Sequence, residues 1–279
     1  MTPRRLPLKP GVSVDRATEV LRGLVDSVSG ALPPGRDALT LRVAYEDWVD
    51  RAGVEIRNIT DDVEIRRMFI SEAYWRILEL ASAAAIRAYP LINAELERQK
   101  QDLERLLTDL IWRADRIALA SGQPAVLDTN LLLHYQPPWQ IPWPAILGVP
   151  AVRLLIPLRV IEELDAKKYS DSATLRRRAR QLLPQLEAKL GDGGKPAALN
   201  DAVTIEVPLE PEPRIRPADA DTEILDDSRE FALLSGQDVI VVTADTAMTI
   251  RAQALGLGVA RLPAEHRRER EDPGGAATV

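Results

Sequence analysis

Apolar positions through the first 120 residues recur at three- and four-residue steps, and that spacing predicts helices throughout. Residues 13–28 and 36–52 read as amphipathic helices separated by the breaker SGALPPG. Ile59–Thr60–Asp61–Asp62 reads as a helix cap, after which Val63, Ile70, Ala73, Ile77, Leu80 and Ala84 form the next apolar stripe. Pro90 is expected to interrupt that helix. A second long helix should follow, with Leu96, Leu103, Leu110 and Ile117 at sevenfold spacing and Leu106, Leu107 and Ile111 widening the face. Two long helices meeting at a proline predict an antiparallel hairpin. Its leucines read as intramolecular core, with a homodimer or a partner protein as the alternative. Trp48, Trp75 and Trp112 sit within these patterns and are expected to anchor the core.

At Gly122–Gln123–Pro124 the texture changes. Short, nearly continuous apolar runs appear at AVLD (125–128), RLLIP (153–157), VTIEV (203–207), DVIVVTAD (238–245) and GVARLP (258–263). Helical patterns fill the intervals at 158–168, 172–190, 221–235 and 246–256. Strands apolar on both faces, alternating with helices, predict a parallel sheet covered on both sides. The Pro-rich stretch QPPWQIPWPAILGVP (136–150) reads as an irregular excursion, residues 191–200 as a flexible Gly-rich linker, and 208–218 as an extended, Pro-spaced segment. The tail EHRREREDPGGAATV reads as polar and frayed. The organisation expected is a helical N-terminal domain over 1–121 with a long hairpin, an α/β domain over 122–265, and a polar tail over 266–279.

Composition narrows the chemistry. With 46% hydrophobic and 28% charged residues, the chain can build a globular core. It has no cysteine and only two histidines, His134 and His266. That excludes disulfides, thiolate zinc, iron–sulfur clusters and a cysteine nucleophile, and leaves little scope for a His-built zinc site. Any metal chemistry must use oxygen ligands, which points to Mg²⁺ or Mn²⁺. The N-terminus MTPRRLPLKPGVSV lacks the apolar core of a secretory signal, and the most apolar window, ILELASAAAIRAYPLI, carries Glu79 and Arg87. A cytoplasmic protein without a membrane span is expected.

Acidic residues then fall where a parallel sheet binds ligands, at the carboxyl ends of its strands. Asp128 ends the first strand and can equally cap the following helix. In IPLRVIEELDAKK, Glu162 and Glu163 lie about 100° apart on a helix, and the Ile161–Leu164 frame brings Glu163 to the buried boundary. In ADADTEILDDSREFALL, Asp219 or Asp221 can cap a helix from Thr222, with Glu223, Asp226 and Asp227 facing solvent. Asp245 closes the strand VIVVTAD, with Thr243 two residues before it on the same side. Four carboxylates in one crevice repel, and a divalent cation offsets that repulsion. Such a site suits phosphodiester hydrolysis. Other chemistries lack their motifs: there is no P-loop, no Gly-x-Ser-x-Gly elbow, and position 130 is Asn where an aspartyl phosphatase needs a second Asp.

Taken together, VLDTNLLLHY, IPLRVIEELDAKK, DTEIL, and VTADTAM followed by ALGLGV resemble the PIN-domain ribonucleases in order and spacing, over residues 124–263. The resemblance implies a Rossmann-like three-layer fold and a Mg²⁺- or Mn²⁺-dependent endoribonuclease. It makes Asp128, Glu163, Asp221 and Asp245 the metal-holding quartet, Thr243 a polar helper, and Asn130 a hydrogen-bonding neighbour of the metal. The segment SATLRRRARQLLPQLEAKL is more like a larger PIN subgroup with an ELDxxK signature than the small toxin ribonucleases, which lack the N-terminal helices.

Single-stranded RNA is the partner this implies, and it needs cations beside the cleft. Lys167, Lys168, Arg176, Arg177, Arg178 and Arg180 offer a basic rim, with a solvated helix face as the alternative. Tyr135, Trp139 and Trp143 are candidate stacking platforms. His134 reads as a packing or surface residue. The chain is net −6, and residues 125–279 hold 18 Lys+Arg against 23 Asp+Glu; with up to four of those acids neutralised by a metal, that balance does not argue against nucleic acid. A non-cleaving RNA-binding module or a dimerising scaffold is the alternative function.

Overall fold

A computed structural model describes residues 6–34, 37–79, 85–190, 195–208 and 219–268. The chain divides into two compact units, with the boundary between Asp115 and Arg116. Among the described residues no helix is long and apolar enough to cross a membrane.

The first unit is helical. Helix α1 (Val14–Val28) is capped by Ser13, whose hydroxyl accepts from Arg16 N at 3.2 Å. Helix α2 (Ala38–Ile59) is capped by Asp37, which accepts from Thr40 N at 2.8 Å. It runs past the expected end at 52 because Ile56 and Ile59 extend its buried face. Leu21 and Leu24 of α1 and Leu41, Tyr45 and Trp48 of α2 are buried in the same core.

Beyond residue 60 the structure departs from expectation. The chain forms a single turn, α3 (Val63–Arg66), then a 3-10 turn at Arg67–Phe69, then α4 (Glu72–Leu78). Val63 and Ile70, read as core, are exposed, while Ile65, Phe69 and Ile77 are buried. The break falls at Ser71, which caps α4 by accepting from Tyr74 N at 3.0 Å and donates its hydroxyl to Glu95. Trp75 is exposed rather than an anchor. Leu80 and Ala84 lie outside the described residues.

Pro90 does not end a helix either. It lies inside α5 (Ala85–Ile117). A proline removes one intrahelical hydrogen bond; burial of Ala88, Ile92, Leu96, Leu103, Leu106 and Leu110 offsets the loss. Within this stripe sits a buried carboxylate. Glu95 accepts from Ser71 Oγ at 2.7 Å, from Gln99 Nε2 at 2.9 Å, and from Arg98 through Nη2 and Nε at 2.6 and 2.9 Å.

The second unit is an α/β sandwich, as its apolar strands predict. Six strands, β1 (Gln123–Leu127), β2 (Val152–Leu155), β3 (Ala197–Asn200), β4 (Val203–Glu206), β5 (Ile240–Val242) and β6 (Gly258–Ala260), stand in the order β3-β4-β2-β1-β5-β6. All neighbours are parallel except β3 and β4. Register is set by apolar pairs such as Val126 with Leu155 on one side and with Val241 on the other. Gly122 enters the sheet at φ +112, where a Cβ would come within 3.2 Å of the Ala151 and Val152 backbone. The antiparallel edge strand β3 replaces part of the linker expected over 191–200. The connecting helices are α6 (Thr129–His134), α7 (Trp143–Leu147), α8 (Leu158–Lys167), α9 (Ala173–Leu190), α10 (Ala220–Ser235) and α11 (Thr246–Ala254).

Two charges are buried in this sheet. Arg153 of β2 pairs with Glu206 of β4 and donates to the carbonyls of Ile117 and Ala120, with its guanidinium 5.1 Å from the Phe231 ring centre. The end of the described chain is ordered: after a 3-10 turn at Ala264–His266, Arg267 bridges Tyr135 in antiparallel fashion. The tail expected to fray from 265 is therefore pinned through 268; residues 269–279 lie outside the described residues.

Candidate active site

Strand order locates the crevice. The chain places β2 on one side of β1 and later returns to place β5 on the other, and a sheet parts its loops at such a reversal. Asp128 follows β1, and Thr243–Ala244–Asp245 follow β5.

Asp128 is buried and caps α6, its Oδ1 accepting from Leu131 N at 2.6 Å. Thr243, also buried, donates its hydroxyl to the other carboxylate oxygen and accepts from Asp245 N at 2.9 Å. One threonine thus ties the two strand-end acids together. Asp245 is half-buried and caps α11, accepting from Met248 N at 2.9 Å. Both acids cap helices, and a cap uses one oxygen and leaves lone pairs on the other.

The other two acids come from helices. Glu163 of α8 is half-buried and accepts from the Thr129 hydroxyl. Asp219 caps α10, accepting from Thr222 N at 3.2 Å, so the helix starts at Ala220 and Asp221 stands in its first turn. Arg251 of α11 lies 2.8 Å from Asp219 and 3.9 Å from Asp221.

The acids feel one another. Burial pushes the Asp128 carboxyl up to about 6; Thr243 and Leu131 pull it down, and Asp245 and Asp221 push it further up. Asp221 is raised by burial, then by Asp219 and Asp245, with Arg251 opposing and Glu163 adding to the rise. Among the described residues no three acidic or histidine side chains are gathered closely enough to hold a metal ion as they stand. The donors nonetheless fit a hard divalent cation in kind: all are carboxylates, and their mutual repulsion is what such a cation relieves.

Several residues stand elsewhere than the sequence suggests. Asn130 is exposed on α6, and its neighbour Thr129 makes the contact to Glu163. Glu223, expected in solvent, is buried, with Oε2 3.8 Å from Arg159 Nε. The six basic residues do not form one exposed rim. Lys167, Arg177 and Arg180 are exposed, Lys168 pairs with Asp165 at 2.6 Å, and Arg176 bonds the Ser170 carbonyl at 2.7 Å. Arg178 is buried and donates to the Leu133 carbonyl at 3.2 Å. Trp143 is fully buried with its indole N–H on the Pro138 carbonyl, so it cannot stack a base; Tyr135 is buried too. Trp139 is half-buried, with Lys189 5.9 Å from its ring centre. Thr129 and Arg251 were the site neighbours that sequence reading missed. A hydroxyl directly after the first Asp was the available signal for Thr129; for Arg251 there was none.

Residues 125–262 match the family model for the PIN domain. No curated protein matches the chain. Among solved structures, one described as a domain of a functionally unknown protein from Methanocaldococcus jannaschii is similar at 16% identity and a TM-score of 0.32. The match covers 54% of this chain and 96% of that one.

Proposed function

From the PIN domain formed by residues 125–262, a fold generally used by nucleases with divalent metals, we propose that this chain is a Mg²⁺- or Mn²⁺-dependent endoribonuclease acting on single-stranded RNA. The observation that carries the reading is the Thr243 bridge between Asp128 and Asp245, with Asp221 and Glu163 within electrostatic range. Asp128, Glu163, Asp221 and Asp245 would hold the cation. When bound, it supplies an acidified water and offsets the charge that develops on the phosphate.

The remaining work belongs to the protein. Thr243 ties the Asp128 carboxylate to the Asp245 backbone N–H, and Thr129 orients Glu163. Such neighbours of ligating groups typically change metal affinity by about 10–100-fold when lost. Without metal, Asp128 holds a proton near pH 6, so loading the site releases it. Arg251 keeps Asp219 on its cap and restrains Asp221 beside it. The exposed Lys167, Arg177 and Arg180 supply sequence-independent attraction to a phosphate backbone.

The test is cleavage of a labelled single-stranded RNA in Mn²⁺ by D128N and D245N. Both should lose at least about 100-fold in rate, the scale of removing one electrostatic contribution to the transition state. Cleavage at the wild-type rate by either variant overturns the assignment. Metal binding by calorimetry with no turnover by the wild-type protein would select the non-cleaving RNA-binding alternative.

A further inference from the structure

Five aromatic residues lie in the α/β unit, and four of them serve the fold: Tyr135, Trp143 and Phe231 are buried and Trp139 is half-buried. The fifth, Tyr169, is 79% exposed. It stands just past the end of α8, in the connection to α9, and the structure describes every residue from 158 to 190 except 191 onward. The chain leaves α8 through three tight turns, from Lys168 N to the Asp165 carbonyl, Tyr169 N to Ala166 and Ser170 N to Lys167, each at 3.1 Å. Arg176 then holds the Ser170 carbonyl at 2.7 Å, and Ser172 N donates to Ser170 Oγ at 3.3 Å. Tyr169 is thus an exposed ring on a pinned backbone.

A single exposed tyrosine is ordinary on a protein surface. Two observations give this one a use. Residues 158–180 carry seven Lys and Arg against four Asp and Glu, in a half of the chain that is otherwise acidic. Part of that charge is answered within the segment, as Lys168 is by Asp165 at 2.6 Å, but the balance stays positive, and Lys167 and Arg180 are exposed. Glu163, one of the four acids, lies on the same helix six residues before Tyr169, about 9 Å along its axis at ~1.5 Å per residue. Stacked nucleotides rise ~3.4 Å each, so a strand covers that distance in about three.

We propose that the Tyr169 ring is a stacking platform for one base of the single-stranded RNA, a few nucleotides from the scissile bond. The identity of the ligand rests on the nuclease reading. The ring binds substrate and takes no part in the chemistry. Every base has a π-face, so the contact tolerates any sequence. Because the turn is pinned before a strand arrives, little order is lost when a base stacks on it. The cations attract the backbone wherever the strand lies; the ring fixes where along it a base comes to rest.

The experiment measures binding of a fluorescein-labelled single-stranded oligoribonucleotide to the full chain by anisotropy, in EDTA, across a salt series, beside an abasic strand of the same length. Tyr169→Ala should weaken binding to the base-bearing strand about 5–10-fold, leave its salt slope unchanged, and leave the abasic strand bound as by wild type. Tyr169→Phe and Tyr169→Trp keep a ring and should bind like wild type. Lys167→Gln should instead lower the slope by about 0.7 on both strands, the value of one phosphate contact on a single strand. Three results overturn the platform: Tyr169→Ala within about 2-fold of wild type on the base-bearing strand, an equal loss on both strands, or no binding by the wild-type chain. The two readings fail separately: D128N that cleaves normally sinks the nuclease while leaving this binding contrast standing, and a Tyr169→Ala protein that binds normally sinks the platform whatever D128N does.

Discussion

Glu95 in the helical unit and Asp128 in the α/β unit are both carboxylates buried to within a few per cent, at 4% and 3% exposure. Their surroundings treat them oppositely. Burial raises the Glu95 carboxyl, but hydrogen bonds from Arg98, Ser71 and Gln99 outweigh it and hold the group below its ordinary value. Asp128 receives one hydroxyl and one backbone N–H, has acids rather than a cation in range, and rises to about 6. A buried charge that serves the fold is given its counter-ion by the fold. A buried charge left among like charges is a candidate for function, because nothing in the packing alone requires it.

The largest expected effect breaks the structural half of this comparison. Glu95→Ala removes the acceptor of Ser71, Gln99 and Arg98 together and leaves the buried Gln99 amide without its anion. Loss of one partner of a buried pair costs ~3–5 kcal/mol, and Arg98 is 39% exposed, so about 3 kcal/mol is expected from denaturant unfolding of the helical unit. The pH dependence has a definite sign. A folded-state value below the unfolded one stabilises above about pH 4.5 and loses that stability as pH falls through the lower folded value. Glu95→Gln should flatten this acid limb; an unchanged limb would place the acid sensitivity elsewhere.

Next in size, Asp128→Asn should stabilise the metal-free protein. Here the folded value, about 6, exceeds the ordinary 3.8, so stability falls as pH rises between the two and stays low above. Two units correspond to ~2.7 kcal/mol at ~1.36 per unit. Asn remains a good cap, and about 2 kcal/mol of added stability is expected at pH 8 in EDTA, shrinking to nothing below pH 4. A gain that persists at pH 3.5, or no gain at pH 8, would show that Asp128 is not held at a raised value. Stability and cleavage should move in opposite directions in this one variant.

The same contrast explains what was legible in the sequence. The strands were readable because Ala125–Leu127, Leu154–Leu155 and Val241–Val242 are apolar on both faces, and Asp128 and Asp245 because they directly follow two of those strands. Strand β3 was not: Ala-Ala-Leu-Asn alternates half-buried with exposed at a sheet edge, and only pairing with β4 makes it a strand. Arg153, Glu206, Glu223, Arg178 and Glu95 were read as surface or left unread, and all are buried. Periodicity assigns a charged residue to solvent unless a partner distant in sequence is known. Arg153 and Glu206 are 53 residues apart, and Arg178 and Leu133 are 45. The break at Ser71 has the same origin, since its hydroxyl answers to Glu95, 24 residues on.

The smallest effect sharpens the functional half. Thr129→Val removes the hydroxyl that donates to Glu163 while nearly keeping the shape of a buried side chain. Glu163 is half-buried and can exchange that partner for water, so stability should change by less than about 1 kcal/mol. Its orientation would no longer be set, however, and Mn²⁺ affinity by calorimetry should fall about 10-fold, near 1.4 kcal/mol. A stability loss above 2 kcal/mol with unchanged metal affinity would assign Thr129 to the fold, beside Ser71 and Gln99. An affinity loss with unchanged stability assigns it to the site, because a hydroxyl that aims a carboxylate has its effect only when the carboxylate has something to bind.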